Sequence, residues 1–272
     1  EAVAVSEEVV APAPLTAEEV MGKIQRIPGV EYTVLVPNLR GAERALESRA
    51  DEFNLVMSTS ETHNLANLRM GREKSFAGLA EVIRFVDGKT PINVSLSTAF
   101  GCPMEGDVPA TVVEQFVQRF ADLGVRGVTI CDTTGMANPA QVAKMADDLQ
   151  KKFSDLQLTF HFHNTRGMGL ANVLAAVQSG IIRFDGSLGG LGGCPYAPGA
   201  SGNVCSEEIV HALALMGYDT GVDLARLVAA AQQLPVLIGH DIPSQIAKAG
   251  PRLALHSVPA DFDAIRERAL SR

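Results

Sequence analysis

The sequence predicts an α/β protein whose parallel strands form a (β/α)8 barrel, the TIM barrel. Short runs with strand character alternate with longer helical patterns along the chain, an order that builds a parallel sheet with right-handed crossovers. Polar residues recur where many of these strands end, and barrels carry their active sites at that face. A length of 272 residues suits one such domain. A doubly wound open sheet remains the alternative, although it would gather these residues at one switch point.

The alternation resolves into seven strands and six helices, followed by a region that is helical only. Thr16, with Glu18 and Glu19 behind it, suits a helix start, and Asn138-Pro139 reads as an N-cap followed by a first-turn proline. Seven strands leave one unit of the barrel unaccounted for. We expect a single domain over residues 1–272, with residues 206–272 as a helical C-terminal part. The predicted strands are 2–6, 32–37, 53–58, 92–98, 127–132, 156–163 and 183–188, and the predicted helices are 16–27, 39–49, 65–86, 109–123, 139–153 and 168–179.

Composition restricts the functional classes and the partners. The formal net charge of −8 argues against general binding to nucleic acid. No apolar run reaches the roughly 20 residues of a membrane helix, so we expect neither a membrane partner nor a secretory leader. The four cysteines have neither zinc-site nor disulfide-scaffold spacing, which favours reduced thiols in a cytoplasmic protein.

A His-x-His pair ends the sixth predicted strand and indicates a metal site. Period-2 alternation places His161 and His163 on one face of that strand. Two neighbouring imidazoles repel when protonated, so a shared divalent cation is a natural occupant; two hydrogen-bonded structural histidines are the alternative. Asn203, which ends the loop after the next strand, adds an oxygen donor. Histidine and oxygen ligands with open positions suit Mg²⁺ or Mn²⁺.

A glycine-rich loop over residues 189–203 carries a thiol and follows the seventh predicted strand. A loop of this length inside a domain is usually functional or disordered. Cys194 lies in its middle, where burial is difficult, and this favours a reactive role over a packing role. Packing is the favoured role for Cys102, Cys131 and Cys205.

Carboxylates and polar groups at other strand ends are candidates for catalysis or binding. Asp132 ends the fifth strand, and Glu207 lies in the first turn of the helix after the glycine-rich loop. Asn38 and the Ser60-Glu61 pair follow earlier strands. Ordinary loop or helix capping is the alternative explanation for each. No P-loop or GxGxxG fingerprint supports nucleotide hydrolysis or NAD chemistry.

These motifs together resemble those of the hydroxymethylglutaryl-CoA lyases, within a wider group of metal-dependent barrel lyases, aldolases and Claisen-type synthases. The resemblance extends from about Val20 to about residue 225, and the glycine-rich Cys loop is specific to the lyase branch. The histidine pair is shared with the aldolases and synthases. The motifs are Gly192-Gly193-Cys194-Pro195-Tyr196-Ala197, Gly199-Ala200-Ser201-Gly202-Asn203, His161-Phe162-His163, Gly101-Cys102-Pro103, Pro37-Asn38-Leu39 and Asp132-Thr133.

The resemblance implies a reaction and a role for each matched residue. The reaction is the retro-Claisen cleavage of a 3-hydroxy-3-methylglutaryl-CoA-like substrate to acetyl-CoA and acetoacetate, with Mg²⁺ or Mn²⁺ as the cofactor and an acyl-CoA and a second copy of the chain as partners. The implied metal ligands are His161, His163 and Asn203. The implied catalytic residues are Cys194, Asp132, Glu207 and Glu1, and the implied substrate-binding residues are Asn38, Thr133 and Ser201.

Two departures from the family pattern bear on function. The family's first strand carries an Arg-Asp pair, whose Asp binds the metal, and no such pair occurs here. Glu1 falls at a second-strand glutamate, so we expect the first strand and helix to be missing from this chain. Asn164 stands where the family usually has Asp. An aldolase or Claisen-type synthase with the same metal site, or a non-catalytic relative that binds CoA or metal, are the alternatives.

Overall fold

The computed structural model of this protein describes residues 16–193, 199 and 201–271, together with the backbone of residues 4–7. Its strands are β1 (Ala4–Glu7), β2 (Thr33–Leu35), β3 (Glu52–Ser58), β4 (Ile92–Ser97), β5 (Gly127–Asp132), β6 (Gln157–Phe162) and β7 (Arg183–Gly186). Its helices are α1 (Ala17–Lys23), α2 (Leu39–Glu47), α3 (Glu61–Leu68), α4 (Arg72–Val86), α5 (Ala110–Ala121), α6 (Pro139–Lys152), α7 (Gly169–Gln178), α8 (Ser206–Leu215), α9 (Leu224–Ala231), α10 (Leu234–Ile238), α11 (Gln245–Ala249) and α12 (Phe262–Leu270).

The strands form one parallel sheet in the order β1-β7-β6-β5-β4-β3-β2. From β2 to β7 each strand pairs with the next one in the chain, as in a barrel, and the order does not reverse as it does in a doubly wound sheet. The first strand, β1, pairs in parallel with β7. The predicted barrel architecture is confirmed, with β1 and β2 standing at the two edges of the described sheet.

Alternation along the strands separates an apolar face from a polar one. In β3, Phe53, Leu55 and Met57 are fully buried in the main hydrophobic core, whereas Asn54 between them belongs to the opposite face. The Asn93 side chain of β4 donates to Asn54 Oδ1 at 2.9 Å and to Thr129 Oγ1 of β5 at 2.8 Å. The helices therefore cover the apolar face of the sheet, and polar side chains occupy the other.

One predicted helix is two helices in the structure. The pattern over residues 65–86 predicted a single helix, but α3 ends at Leu68 and α4 begins at Arg72. Arg69 ends α3 in the left-handed conformation, with φ of 58°, which turns the chain before α4. The start of α3 is fixed by the hydroxyl of Ser60, which accepts a bond from the His63 amide at 3.0 Å.

The C-terminal helices pack against the start of the glycine-rich loop. Ala231, Ile242 and Ala247 form a second small core, against which Leu188 and Leu191 at the start of that loop pack.

Both predicted caps are present, since Thr16 and Asn138 each form a capping box. In the part of the chain that the structure describes, no helix is long and apolar enough to cross a membrane.

Candidate active site

His161 lies near the end of β6, bonded to a carboxylate of the neighbouring strand. Its Nδ1 is 2.7 Å from Asp185 Oδ1, and the two residues are direct partners in the β6–β7 register. A carboxylate on one imidazole nitrogen fixes the ring orientation and raises the basicity of the other nitrogen. Sequence reasoning missed Asp185, although alternation from Phe184, which is buried in the core, could have placed it on the His161 face.

His163 follows on the same side, with its ring centroid 5.0 Å from that of His161. The side chain is buried, and its Nδ1 has no hydrogen-bond partner in the part of the chain that the structure describes. Burial, with a smaller contribution from the charge of His161, lowers the pKa of His163 to about 3. The imidazole is therefore neutral at physiological pH, the form in which histidine binds a metal.

Asn203 is brought beside His163 by an isolated antiparallel bridge between the two residues. Its Nδ2 donates to the Leu191 carbonyl at 2.8 Å, while its buried Oδ1 has no partner. The bridge requires close contact inside the glycine-rich loop. A Cβ on Gly202, where φ is +104°, would lie 2.0 Å from the Gly190 carbonyl oxygen.

One carboxylate oxygen of Asp132 caps the loop after β5, and the other accepts no hydrogen bond from the described residues. Its Oδ1 accepts bonds from the amides of Met136 at 2.8 Å and Ala137 at 3.1 Å, so the side chain closes the loop after β5. Its Oδ2 is buried without a partner. Burial raises the pKa of Asp132 to about 7, against the lowering effect of these two amide bonds. A carboxyl group with such a pKa can both accept and donate a proton near neutrality.

The unpartnered atoms test whether a divalent cation fits these residues. His163 Nδ1 and Asn203 Oδ1 are buried and have no hydrogen-bond partner among the described residues, as is also true of Asp132 Oδ2 at the end of β5. Buried polar atoms normally find partners, because an unpaired one costs free energy. Within the described residues no three His, Cys, Asp or Glu side chains form a metal-binding group, so the candidate site consists of two histidines and one asparagine. The donor types fit a divalent cation.

Glu207 and Thr133 are held in polar contacts near this site. Both carboxylate oxygens of the fully buried Glu207 lie 3.2 Å from the Gly189 amide, so the side chain anchors the start of the glycine-rich loop. Thr133, next to Asp132, accepts a bond from the Thr98 amide at 3.2 Å. Thr98 is a second residue that sequence reasoning missed, and no sequence signal marked it.

The remaining predicted residues are placed less directly. Asn38 is the N-cap of α2, where its Oδ1 accepts from the Gly41 amide at 2.9 Å, as the capping alternative expects. Ser201 is exposed and lies two residues before Asn203. Cys194 and Glu1 lie outside the described residues.

Imidazole, amide and carboxylate groups at the carboxyl ends of consecutive parallel strands are the residue types that metal-assisted barrel enzymes use. The family comparison is more specific. The family model described as HMGL-like matches residues 3–234. The chain therefore belongs to the HMGL-like family and is a carbon–carbon lyase. Lyases of this family generally depend on a divalent metal ion.

Individual relatives agree with this assignment. The chain is 43% identical to the hydroxymethylglutaryl-CoA lyase of Bacillus subtilis over 86% of its own length and 79% of the relative. It is 41% identical to the (R)-citramalyl-CoA lyase of Chloroflexus aurantiacus over 81% of its length and 70% of the relative. Among solved structures, an HMG-CoA lyase of Acinetobacter baumannii, in complex with coenzyme A and 3-methylmalate, superposes with a TM-score of 0.86 at 50% identity, covering 89% of this chain and 79% of that one.

Proposed function

We propose that this protein cleaves 3-hydroxy-3-methylglutaryl-CoA to acetyl-CoA and acetoacetate, with Mg²⁺ or Mn²⁺ as the cofactor. His161, His163 and Asn203 would hold the cation. The observation that carries the proposal is the pair of buried, unpartnered acceptors on His163 and Asn203, which the β6 end and the glycine-rich loop bring together. The cation would supply Lewis acidity at the tertiary hydroxyl and carboxylate of the substrate.

The reaction needs two proton transfers, for which the chain offers two groups. The tertiary hydroxyl loses its proton and becomes the ketone of acetoacetate. The electron pair of the broken carbon–carbon bond moves to the acetyl-CoA enolate, which then gains a proton at carbon. Asp132, with a pKa raised to about 7, suits the first transfer. We assign the second to the thiol of Cys194.

The other site residues take supporting roles in this proposal. Glu207 acts by holding the Gly189 amide, and so the entry to the glycine-rich loop, in place. Glu1 is a further catalytic carboxylate. Asn38, Thr133 and Ser201 bind the substrate. Support for these assignments is the family membership, together with the positions of Asn38 and Thr133 after strands β2 and β5 and of Ser201 in the glycine-rich loop.

Citramalyl-CoA is the second candidate substrate. One relative at 41% identity is named for it, and the Acinetobacter baumannii structure holds 3-methylmalate. Citramalate and 3-methylmalate both have a four-carbon main chain, which is one carbon shorter than the main chain of 3-hydroxy-3-methylglutarate. Cleavage of citramalyl-CoA at the equivalent bond would give acetyl-CoA and pyruvate, so the ketoacid product identifies the substrate.

The test is an assay of the full-length gene product with each acyl-CoA, after chelation and then with added Mg²⁺ or Mn²⁺. We expect acetoacetate from 3-hydroxy-3-methylglutaryl-CoA, and no turnover without the cation. Cys194→Ala should abolish most of the activity, whereas Cys102→Ala, at a buried packing position, should change stability only. Acetoacetate-dependent condensation without cleavage would indicate a synthase, and CoA binding without turnover would indicate a non-catalytic relative.

We also propose a cytoplasmic homodimer. The cysteine spacing, which matches no disulfide scaffold, supports the location. Val236 and Leu237 of α10 and Leu255, later in the chain, are strongly exposed apolar side chains that a second copy could cover. Light scattering should give twice the chain mass, and Leu237→Glu should reduce it to one chain mass; a monomeric wild type would contradict the proposal.

A further inference from the structure

Thr98, directly after β4, has a backbone conformation that its side chain disfavours. Its φ is +59°, in the left-handed region, and the residue is completely buried. A β-branched residue in this region is a genuine outlier. Such conformations persist only where the surroundings impose them, and they concentrate at functional sites.

Hydrogen bonds to the strands on either side impose the conformation. The Thr98 hydroxyl donates to the Ser97 carbonyl at 2.6 Å and accepts from the Ser60 amide at 3.2 Å, which ties it to the end of β3. The Ala99 amide donates to the Cys131 carbonyl at 2.9 Å, which ties the chain to β5. The left-handed conformation of Thr98 is therefore held by hydrogen bonds at the carboxyl ends of β3, β4 and β5.

The consequence of this turn is the direction of the Thr98 amide, which donates to Thr133 Oγ1 at 3.2 Å. Thr133 follows Asp132, the register partner of Phe162, so it lies level with His163. The bond occupies an acceptor position of the Thr133 hydroxyl and leaves its O–H to be donated. Among the described residues none accepts that O–H, whereas the neighbouring Thr134 donates its own to the Gly101 carbonyl at 3.0 Å.

We propose that Thr98 is a positioning residue, whose left-handed backbone orients the Thr133 hydroxyl so that it donates a hydrogen bond to an oxygen of the acyl-CoA substrate. The proposal rests on the proposed function and deepens it. Thr133 then contributes as a donor only, and Thr98 acts through it without touching the substrate. The arrangement also explains why two adjacent threonines differ, since one hydroxyl is used inside the protein and the other is kept for a ligand.

Substitutions at Thr133 test the donor. Thr133→Val should raise the KM for 3-hydroxy-3-methylglutaryl-CoA about tenfold, the effect of losing one hydrogen bond to a substrate oxygen, while Thr133→Ser should stay within about twofold of wild type. The matched control is Thr134→Val, which should lower the melting temperature and leave KM unchanged. An unchanged KM in Thr133→Val, or an equal rise in Thr134→Val, would overturn the proposal.

Substitutions at Thr98 test the positioning. Thr98→Val keeps the branched side chain but loses the hydroxyl bonds that impose the turn, so it should raise KM like Thr133→Val with little change in kcat. Thr98→Gly adopts positive φ freely and should keep KM near the wild-type value. The Thr98→Val/Thr133→Val double variant should be no worse than either single variant. Additive effects, or a Thr98→Gly variant as impaired as Thr98→Val, would contradict the role.

A binding measurement separates this inference from the proposed function. Calorimetric titration of 3-hydroxy-3-methylglutaryl-CoA into chelated wild type and chelated Thr133→Val, where no turnover is expected, reports affinity without cleavage. If wild type fails to cleave this substrate but the two proteins differ about tenfold in affinity, the proposed reaction is wrong and the donor role stands. Equal affinities contradict the donor role.

Discussion

The polar face of the sheet holds two groups of buried or half-buried polar side chains that differ in one respect. In the middle of the strands, Asn54 Oδ1 accepts bonds from Asn93 and from Ser95 at 3.0 Å, and Asn93 also donates to Thr129. We call these four residues the central cluster. At the carboxyl end of β6, His163 and Asn203 each keep one buried acceptor that has no hydrogen-bond partner among the described residues; we call these two the open cluster.

The difference teaches where function is located on this face. A polar group that leaves water must find a new partner, and each one that does not weakens the fold. The central cluster satisfies its members with one another and so contributes to structure. The open cluster retains unpaired acceptors in one place, which is the property of a site that receives its partner from outside the chain.

The largest expected effect comes from removing a member of the open cluster. His163→Ala should reduce lyase activity by more than about 10³-fold, because loss of the cation removes several kcal/mol of transition-state stabilisation. The fold should remain intact, since the deleted Nδ1 forms no hydrogen bond with any described residue. Steady-state kinetics measures the loss of activity, and circular dichroism checks that the fold is intact. Turnover near that of wild type would contradict the assignment of His163.

The next effect concerns the loop that delivers Asn203. Gly202→Ala should lower activity by about 10²-fold, because its Cβ would meet the Gly190 carbonyl oxygen and displace the neighbouring Asn203. Gly199→Ala is the matched control, since Gly199 also has positive φ, at +71°, but no atom of the described residues lies within 4 Å of its Cβ position. The two variants should differ in kcat; equal activities would show that the close contact does not position Asn203.

A smaller effect is expected at the carboxylate behind His161. Asp185→Ala should weaken Mn²⁺ binding by about 10- to 100-fold, because His161 loses the partner that orients its ring. Titration followed by electron paramagnetic resonance gives the affinity. Asp148→Asn, which loses only an ion pair with Lys144, is the control. Wild-type Mn²⁺ affinity in Asp185→Ala would show that Asp185 does not contribute to the metal site.

The smallest effect on activity is expected in the central cluster. Asn93→Ala should lower the free energy of unfolding by about 1–3 kcal/mol, since it leaves Thr129 and Asn54 with fewer partners. Metal affinity and kcat should stay near the wild-type values. Urea denaturation and the lyase assay measure the two properties. A large loss of metal affinity without loss of stability would reverse the roles of the two clusters.

Much of this architecture was predictable because its signals are local. The order of strands and helices follows from period and capping, and Thr16 and Asn138 cap their helices as predicted. The pairing of His161 with His163 on one face follows from the period of a strand. The break between α3 and α4 was not predictable, because Arg69 ends its helix in a conformation that glycine usually adopts.

The parts of the site that depend on contacts between strands were harder to predict. The bond from Asp185 to His161 requires the register of β6 against β7, which the sequence does not state. The bridge between His163 and Asn203 closes across 40 residues. The positive φ of Thr98 depends on hydrogen bonds from two other strands, so nothing in its own sequence neighbourhood indicated it.

The most direct test of the open cluster as a metal site is a Mn²⁺ titration of the full-length protein after chelation, with cleavage of 3-hydroxy-3-methylglutaryl-CoA measured on the same samples. The account predicts one tightly bound ion per chain, activity that rises in proportion to bound Mn²⁺, and neither binding nor activity in His163→Ala. Full activity in the metal-free protein, or wild-type Mn²⁺ affinity in His163→Ala, would contradict it.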